Sequence, residues 1–212
     1  MKTPPVSSWF IGIAFAAMTG FASAQNLVAP EEGGTQIGWA TEAFATNFMA
    51  DGVTTFEEHG ESIRFELGTF APGFDPTTAT PDQWVSNWIV LQGADYDLVD
   101  QQVIQTATLT SNDSPFTLNT QAYIWGYTSK DVAPDSQWLL VAAPSWKWPS
   151  ATSPLPTTFS MSDARPQDAL IGSVNPVGGG YHMQFEYVAV PEPSAALLAC
   201  VASLGLVLRR RR

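Results

Sequence analysis

The sequence has almost no cysteine. Cys200 is the only one among 212 residues, and it lies in an apolar run near the end of the chain. The long stretch between the two chain ends therefore cannot form a disulfide, hold a metal through thiolates or attack a substrate with a thiol. A domain without cysteine is compatible with an oxidising compartment, but the evidence for export has to come from the chain ends.

Basic residues are also scarce between the chain ends. Only Arg64, Lys130, Lys147 and Arg165 stand there against 19 acidic residues. Such an acidic surface repels nucleic acid and anionic lipid, so a nucleic-acid partner is excluded. Solubility is the simpler explanation of the acidity, and a specific role in cation binding is the alternative.

The common signatures of catalysis are missing as well. The sequence contains no H-E-x-x-H, no G-x-S-x-G, no Walker loop, no dinucleotide fingerprint and no EF-hand loop. No catalytic residue is predicted, and a non-enzymatic protein is favoured. The alternative is an extracellular glycan-active hydrolase, which would need two acids across a cleft; the sequence cannot select such a pair among so many acids.

A metal site is not predicted either. His59 and His182 would form one only if they met beside a carboxylate, and solvated histidines are favoured. Asp95, Asp97 and Asp100 lie close together and would suit Ca²⁺ outside the cell, but their spacing lacks the glycine and the final glutamate of a calcium loop. We therefore expect no cofactor, with Ca²⁺ as the one alternative.

The first 24 residues have the layout of a secretory signal peptide. Lys2 precedes an apolar run from Trp9 to Met18, and the small residues Ala22 and Ala24 stand just before Gln25. Signal peptidase accepts small side chains at these positions, so we expect cleavage between Ala24 and Gln25. A signal anchor that stays in the membrane is the alternative.

An apolar run and a basic cluster close the chain. Residues 195–208 are apolar apart from a serine and a glycine, and Arg209, Arg210, Arg211 and Arg212 follow directly. As a helix the run would measure about 21 Å, short of the roughly 30 Å of a bilayer core. The arginines can snorkel to the headgroups and favour the cytoplasmic side, which leaves the preceding domain outside the membrane.

A proline-containing motif precedes this transmembrane segment. Val190, Pro191, Glu192 and Pro193 form an extended stretch that a protease can bind without unfolding a domain. Motif, apolar run and terminal arginines together resemble the PEP-CTERM sorting signal of Gram-negative bacteria, over residues 189–212 only. The resemblance implies recognition by exosortase, a membrane-embedded protease-transpeptidase, and implies an association with exopolysaccharide at the cell surface.

Residues 25–188 predict one extracytoplasmic β-sandwich domain. Ile63, Phe65 and Leu67 alternate with Arg64 and Glu66, as a half-buried strand requires. Other strand-like runs, separated by turn signals, lie at 103–109, 121–127, 137–142, 169–174 and 181–187. The expected fold is mostly β, a single antiparallel, jelly-roll-like sandwich.

One or two short helices are expected beside the strands. Thr80 to Gln83 reads as an N-cap, a proline at the first helical position and a capping-box glutamine. Trp84 and Trp88 would then share one face, where packing against the sheet is favoured over ligand contact. A second helix is predicted between Thr41 and Met49.

Tryptophan is the one compositional excess of this domain. Trp146 and Trp148 flank Lys147 in a short loop, and exposed indoles at these positions would form a platform for sugar rings. Packing in the core is the favoured alternative. Taken together, the sequence predicts a protein exported across the inner membrane, held first by its C-terminal helix and then displayed at the cell surface or released.

Overall fold

A computed structural model describes residues 33–176 and 180–190. The predicted signal peptide with its cleavage site at Ala24 and Gln25 lies outside the described residues. So do Pro191 to Pro193, the apolar segment 195–208 and the terminal arginines. Within the described ranges, no helix combines the length and the apolar character needed to cross a bilayer.

Strands dominate the described chain, as predicted. The strands are β1 (Thr35–Ala40), β2 (Arg64–Phe70), β3 (Trp88–Asp95), β4 (Ile104–Leu109), β5 (Tyr123–Tyr127), β6 (Gln137–Val141), β7 (Thr157–Ser160), β8 (Ala169–Ile171), β9 (Ser173–Val174), β10 (Met183–Gln184) and β11 (Glu186–Tyr187). The α-helices are α1 (Phe56–His59) and α2 (Pro81–Asn87), and two single turns of 3-10 helix span Met161–Asp163 and Pro166–Asp168.

The strands form two main sheets. The larger sheet has the order β11-β6-β5-β2-β3, and β8 also pairs with β6; the smaller sheet has the order β4-β1-β7, and β9 and β10 form a separate pair. The register of β2 against β3 shifts between Leu67 and Gly68. Glycine is required at this irregularity, because a Cβ on Gly68 would lie 2.4 Å from the carbonyl oxygen of Ile89.

The two main sheets stack around an apolar core, which gives a β-sandwich-like fold. Ile37 and Trp39 of β1 enter this core from the smaller sheet, and Phe65 and Leu67 of β2 enter it from the larger one; all four are at most 1% exposed. This arrangement follows from the alternation of the strands, because every second side chain points to the same face. The core confirms the inward set predicted for β2.

One pairing departs from the antiparallel, jelly-roll-like sandwich that the sequence predicts. Strand β7 runs parallel to β1, with Ile37 opposite Thr157 and Trp39 opposite Phe159. The segment 142–156 returns the chain from the larger sheet and starts β7 at the same end as β1. Alternation of apolar residues is the same in parallel and antiparallel strands, so the sequence pattern could not reveal this pairing.

The larger sheet has a second apolar layer on its outer face. Trp125 of β5 and Trp138 of β6 are both fully buried there, and helix α2 covers them through Trp84. The ring centroids of Trp84 and Trp138 lie 6.4 Å apart, and the Trp84 indole donates to the carbonyl oxygen of Pro76 at 2.9 Å. The fold therefore has three layers over part of its area.

Helix α2 confirms the predicted start, and its end differs slightly. Gln83 Oε1 accepts from the backbone N–H of Thr80 at 3.0 Å, as expected for a capping glutamine, while the Thr80 hydroxyl donates to Asp82. Trp84 packs on the sheet as predicted, whereas Trp88 already belongs to β3.

The second predicted helix is wrong. Residues 41–49 contain no helix, and Phe48 instead forms isolated bridges with Thr55 and Gln184. A one-turn helix, α1, follows that segment and is capped by Thr55 and Glu58. The backbone of Phe48 bonds to Met183 and Phe185, and this distant pairing outweighs the weak helical preference of so short a stretch.

Candidate functional site

The loop that carries Trp146 and Trp148 lies inside the protein. Both side chains are 0% exposed. The loop backbone is held to the segment before β5, because Ala122 N donates to Trp146 O and Trp148 N donates to Thr120 O, each at 3.0 Å. The Phe159 ring lies 6.2 Å from Trp146 and 5.9 Å from Trp148, centroid to centroid. A carbohydrate platform at Trp146 and Trp148 is therefore wrong, because neither indole has a face to offer a sugar.

Two of the three aspartate carboxylates considered for Ca²⁺, those of Asp95 and Asp97, have local partners. Asp95 Oδ1 lies 3.1 Å from Arg64 Nη1. Asp97 Oδ1 accepts from the backbone N–H of Asp100 at 3.0 Å and of Val99 at 2.8 Å, and these bonds lower the pKa of Asp97. In the part of the chain that the structure describes, no group of three His, Cys, Asp or Glu side chains is placed to hold a metal ion. The absence of a cofactor, with Ca²⁺ as the alternative, stays a prediction.

The two histidines also engage separate partners. His59 Nε2 lies 3.5 Å from Glu61 Oε2 just beyond α1. His182 Nδ1 lies 2.7 Å from the carbonyl oxygen of Thr46, and its ring packs 6.1 Å from the ring of Phe48. These contacts place each histidine in its own local structure and do not build a common ligand set.

A carboxylate is buried on the outer face of the larger sheet. Glu66 of β2 is only 6% exposed, although its place in the alternation predicts the polar side of a half-buried strand. Its cross-strand neighbours are Gly93 of β3 and Trp125 of β5. A Cβ on Gly93 would lie 3.1 Å from Glu66 Cγ and 2.7 Å from Arg64 Nη2, so glycine provides the space that the two side chains occupy.

Three donors meet the Glu66 carboxylate. The Tyr127 hydroxyl donates to Oε1 at 2.6 Å and the Trp88 indole N–H donates to Oε2 at 2.8 Å. Lys130 Nζ also donates to Oε2, and it lies 5.1 Å from the centroid of the Tyr127 ring. Arg64 Nε is 3.7 Å from Oε1. We call these five residues the Glu66 cluster.

The Glu66 cluster keeps its carboxylate ionised. Desolvation alone would raise the pKa of Glu66, but the hydrogen bonds from Lys130, Tyr127 and Trp88 and the charge of Lys130 outweigh it, so the pKa lies below its usual value. Burial and the bond to Glu66 raise the pKa of Tyr127. A general acid needs a raised carboxyl pKa. The Glu66 cluster is therefore suited to stabilising the fold and not to acid catalysis.

Two surface cavities adjoin farther along the same face. The first has a volume of about 440 Å³ and is lined by Trp84, Tyr123 and Asp168, among others. The second has a volume of about 280 Å³ and is lined by Phe74 and Tyr123, among others. Tyr123 and Gln121 line both cavities. We call the two adjoining cavities the Tyr123 groove.

Aromatic rings make up one wall of the Tyr123 groove. The ring of Phe70 lies 5.1 Å from that of Tyr123, at an interplanar angle of 79°, and 5.1 Å from that of Phe74. Phe70 is 5% exposed and supports the two half-buried rings from below. Burial, and secondarily the negative charge of Asp75, raise the pKa of Tyr123, so its hydroxyl stays protonated at neutral pH.

Gln121 fixes the junction between the two cavities. Its Nε2 atom donates to the carbonyl oxygens of Ala122, Ala143 and Trp146, each at 2.9 Å, and its Oε1 atom accepts from Lys147 Nζ at 2.6 Å. The amide is therefore committed to the protein. Its role in the groove is to hold the wall in place and not to bind a ligand.

Another cavity, of about 520 Å³, lies beside the loop between β5 and β6. Its lining includes the acids Glu61, Asp131 and Asp135 together with His59 and Tyr187. The three acids are exposed to solvent. Exposed acids on a strongly acidic protein are explained by solubility, so this cavity is a weaker candidate than the Tyr123 groove, where rings and polar groups converge.

Comparison with known proteins adds no relative. No family model matches the chain, and neither a curated protein nor a solved structure is significantly similar to it. The candidate site is therefore defined by its geometry.

The alternation of apolar and polar residues in the sequence predicts neither the Glu66 cluster nor the Tyr123 groove. One available signal lies in β5, where Tyr123, Trp125 and Tyr127 alternate with Ile124 and Gly126. A strand that is aromatic on one face and apolar on the other indicates a sheet covered on both sides. That covering places Glu66 and Tyr123 in partly enclosed surroundings.

Proposed function

We propose that this protein is exported, processed by an exosortase and displayed at the cell surface or released as a non-enzymatic β-sandwich protein associated with exopolysaccharide. The proposal takes the export and sorting steps from the two chain ends. It takes the absence of catalysis from the missing motifs and from the Glu66 cluster, whose buried carboxylate has a lowered pKa and is occupied by donors.

The observation that best supports sorting is where the buried part of the described residues ends. Val188 is 3% exposed, and its backbone N–H donates to Ser136 O at 2.9 Å. Ala189 and Val190 are exposed, and Pro191 follows at once. The sorting motif therefore begins two residues beyond the last buried side chain of the described residues, which supports access of a protease while the sandwich stays folded.

The sorting motif can be tested by replacing Pro191, Glu192 and Pro193 together with alanine in cells that contain an exosortase. We expect an unprocessed precursor that fractionates with the membrane, because the processing enzyme loses the extended motif that it binds. Immunoblotting of membrane, surface and culture fractions would measure the precursor and the processed form.

A matched control replaces Pro154 and Pro156, two exposed prolines of the loop before β7, with alanine. This control loses prolines outside the motif and should be processed like the wild type. Normal processing of the motif variant would contradict the sorting role. The assignment of a β-sandwich-like fold does not depend on this result.

A further inference from the structure

The Tyr123 groove combines half-exposed rings with a polar rim. Tyr123 and Phe74 are partly exposed, and Gln167 and Thr117 lie exposed at the edge of the cavities. Sugar rings present apolar C–H faces bordered by hydroxyl groups. A wall of aromatic rings beside amide and hydroxyl side chains suits both parts of such a ring.

The groove is held rigidly before any ligand arrives. Tyr123 packs edge to face on Phe70, and Phe70 also contacts Trp88, with centroids 5.2 Å apart. Gln121 ties the adjoining backbone through its amide. Rings that are already fixed lose little conformational entropy on binding, so more of the contact energy is available for affinity.

Charge disfavours one class of sugar polymer, the anionic one. Among the described residues, those that line the two cavities include no lysine and no arginine, but they include Asp168. Lys147 lies close by, and its ammonium group already donates to Gln121 Oε1 at 2.6 Å. Polymers of uronic acids would meet the negative charge of Asp168 and of a region with 19 acids, so they would be repelled.

We propose that the Tyr123 groove binds a segment of an uncharged polysaccharide. Tyr123 and Phe74 stack on the sugar rings, and Gln167 and Thr117 contribute hydrogen-bonding groups at the rim. This inference rests on the proposed association with polysaccharide, to which it adds a site and a class of ligand. The partner is identified by its chemistry: neutral, hydroxyl-rich and long enough to cross both cavities.

The test uses the full-length protein in mild detergent and a panel of neutral, uronic-acid and amino polysaccharides. Affinity is measured by calorimetry, and release of reducing ends is assayed in parallel. Two variants change the groove: Tyr123→Ala removes the shared ring, and Gln167→Arg fills and charges the rim at an exposed position. Two controls accompany them: Tyr123→Phe keeps the ring, and Tyr187→Ala removes a 50% exposed tyrosine elsewhere.

We expect the wild type to bind a neutral polysaccharide without releasing reducing ends. Tyr123→Ala and Gln167→Arg should each weaken binding about tenfold or more, as expected for an anchor at the centre of a contact. Tyr187→Ala should bind like the wild type, and Tyr123→Phe should keep most of the affinity. Thermal unfolding of each variant checks the fold, and Gln167→Arg tests the groove even if Tyr123→Ala is destabilised.

Each of the other outcomes of the binding test would contradict a different part of the proposal. Binding that is unaffected by both groove variants would place the sugar elsewhere, leaving the proposed function intact while the groove inference fails. Binding only to charged polysaccharides would overturn the neutral class. Release of reducing ends would favour the hydrolase, and no binding to any polymer would refute the proposed association itself.

Discussion

Both faces of the larger sheet carry buried side chains, but these side chains differ in chemistry. The inner face presents Phe65, Leu67 and Leu139, which are all 0% exposed, and packs them against the smaller sheet. The outer face presents Trp125, which is also 0% exposed, beside an ionised Glu66. The inner face is closed mainly by apolar contact, with neutral hydrogen bonds such as that from the Trp39 indole to Gln92 at 2.7 Å, whereas the outer face closes around a charge that needs partners.

This difference also separates stability from the candidate function. The inner face is sealed between the two sheets and contributes to stability, mainly through packing. The outer face is covered by α2 over part of its area and leaves Tyr123 at a surface groove. Burying polar groups is costly unless every donor and acceptor is satisfied. The stability of the outer face should therefore depend on its charge and hydrogen bonds, whereas that of the inner face should depend on the volume of its side chains.

The largest effect should come from breaking the inner face. Phe65→Ala removes a ring that contacts Phe56, Tyr96 and Phe185 at centroid distances of 6.5, 6.1 and 6.2 Å. We expect the free energy of unfolding to fall by about 3 to 5 kcal/mol, because a cavity opens between the sheets. Urea denaturation followed by circular dichroism would measure it.

Phe44→Ala is the matched control for that substitution, because Phe44 is 73% exposed. Its free energy of unfolding should change by less than about 0.5 kcal/mol. A loss of similar size in both variants would contradict the view that Phe65 acts through the core.

A smaller effect is expected from Glu66→Gln on the outer face. The substitution keeps the shape but removes the charge that pairs with Lys130, whose side chain is 28% exposed. Removing one partner of a fully buried pair costs about 3 to 5 kcal/mol, and the partial exposure of Lys130 reduces this to about 2 to 3 kcal/mol. Urea denaturation at neutral pH would measure the change.

Glu61→Gln serves as the control, because Glu61 is an exposed glutamate, with His59 Nε2 at 3.5 Å from its Oε2 atom. It should be close to neutral for stability. If Glu66→Gln were equally neutral, the Glu66 cluster would contribute nothing and the contrast between the two faces would lose its energetic meaning.

The smallest expected effect is a pH dependence of the difference in the free energy of unfolding between the wild type and Glu66→Gln. The folded-state pKa of Glu66 is lowered, so its contribution is present above the ordinary glutamate pKa of about 4.3 and is lost as the pH falls through the folded-state value. The stability gap between the wild type and Glu66→Gln should therefore narrow below about pH 4. Urea denaturation at a series of pH values would show it.

Other carboxylates with lowered pKa values do not affect the stability difference between the two proteins. Hydrogen bonds also lower the pKa values of Asp51, Asp75 and Asp97, but both proteins contain these residues. Their contributions cancel in the difference. A gap that stays constant from pH 7 to pH 3 would show that the charge of Glu66 is not what stabilises the fold.

Local signals in the sequence predict much of the secondary structure. The alternation from Ile63 to Leu67 predicts β2, and the capping pattern from Thr80 to Gln83 predicts the start of α2. The strand-like runs at 121–127 and 137–142 predict β5 and β6, which pair antiparallel across the turn-rich loop between them. These features depend on neighbours in the chain, which the sequence displays directly.

Other elements were missed or misassigned because distant residues decide them. Strand β1 was not predicted, although it lies at the centre of the smaller sheet between β4 and β7. Strand β3 follows α2 without a turn, so its first residue, Trp88, reads equally well as a helical position. In both cases long-range pairing outweighs the local preference of a short segment.

The sequence by itself determined an acidic, mostly β protein with a single cysteine, and it is the sole basis for the predicted export and sorting. Only the tertiary structure decided that Trp146 and Trp148 are buried, that Glu66 is an ionised core residue, and that Tyr123 lines a groove. Composition and alternation specify which side chains avoid water and which strands form. They do not specify what covers the second face of a sheet, because that depends on segments far apart in the chain.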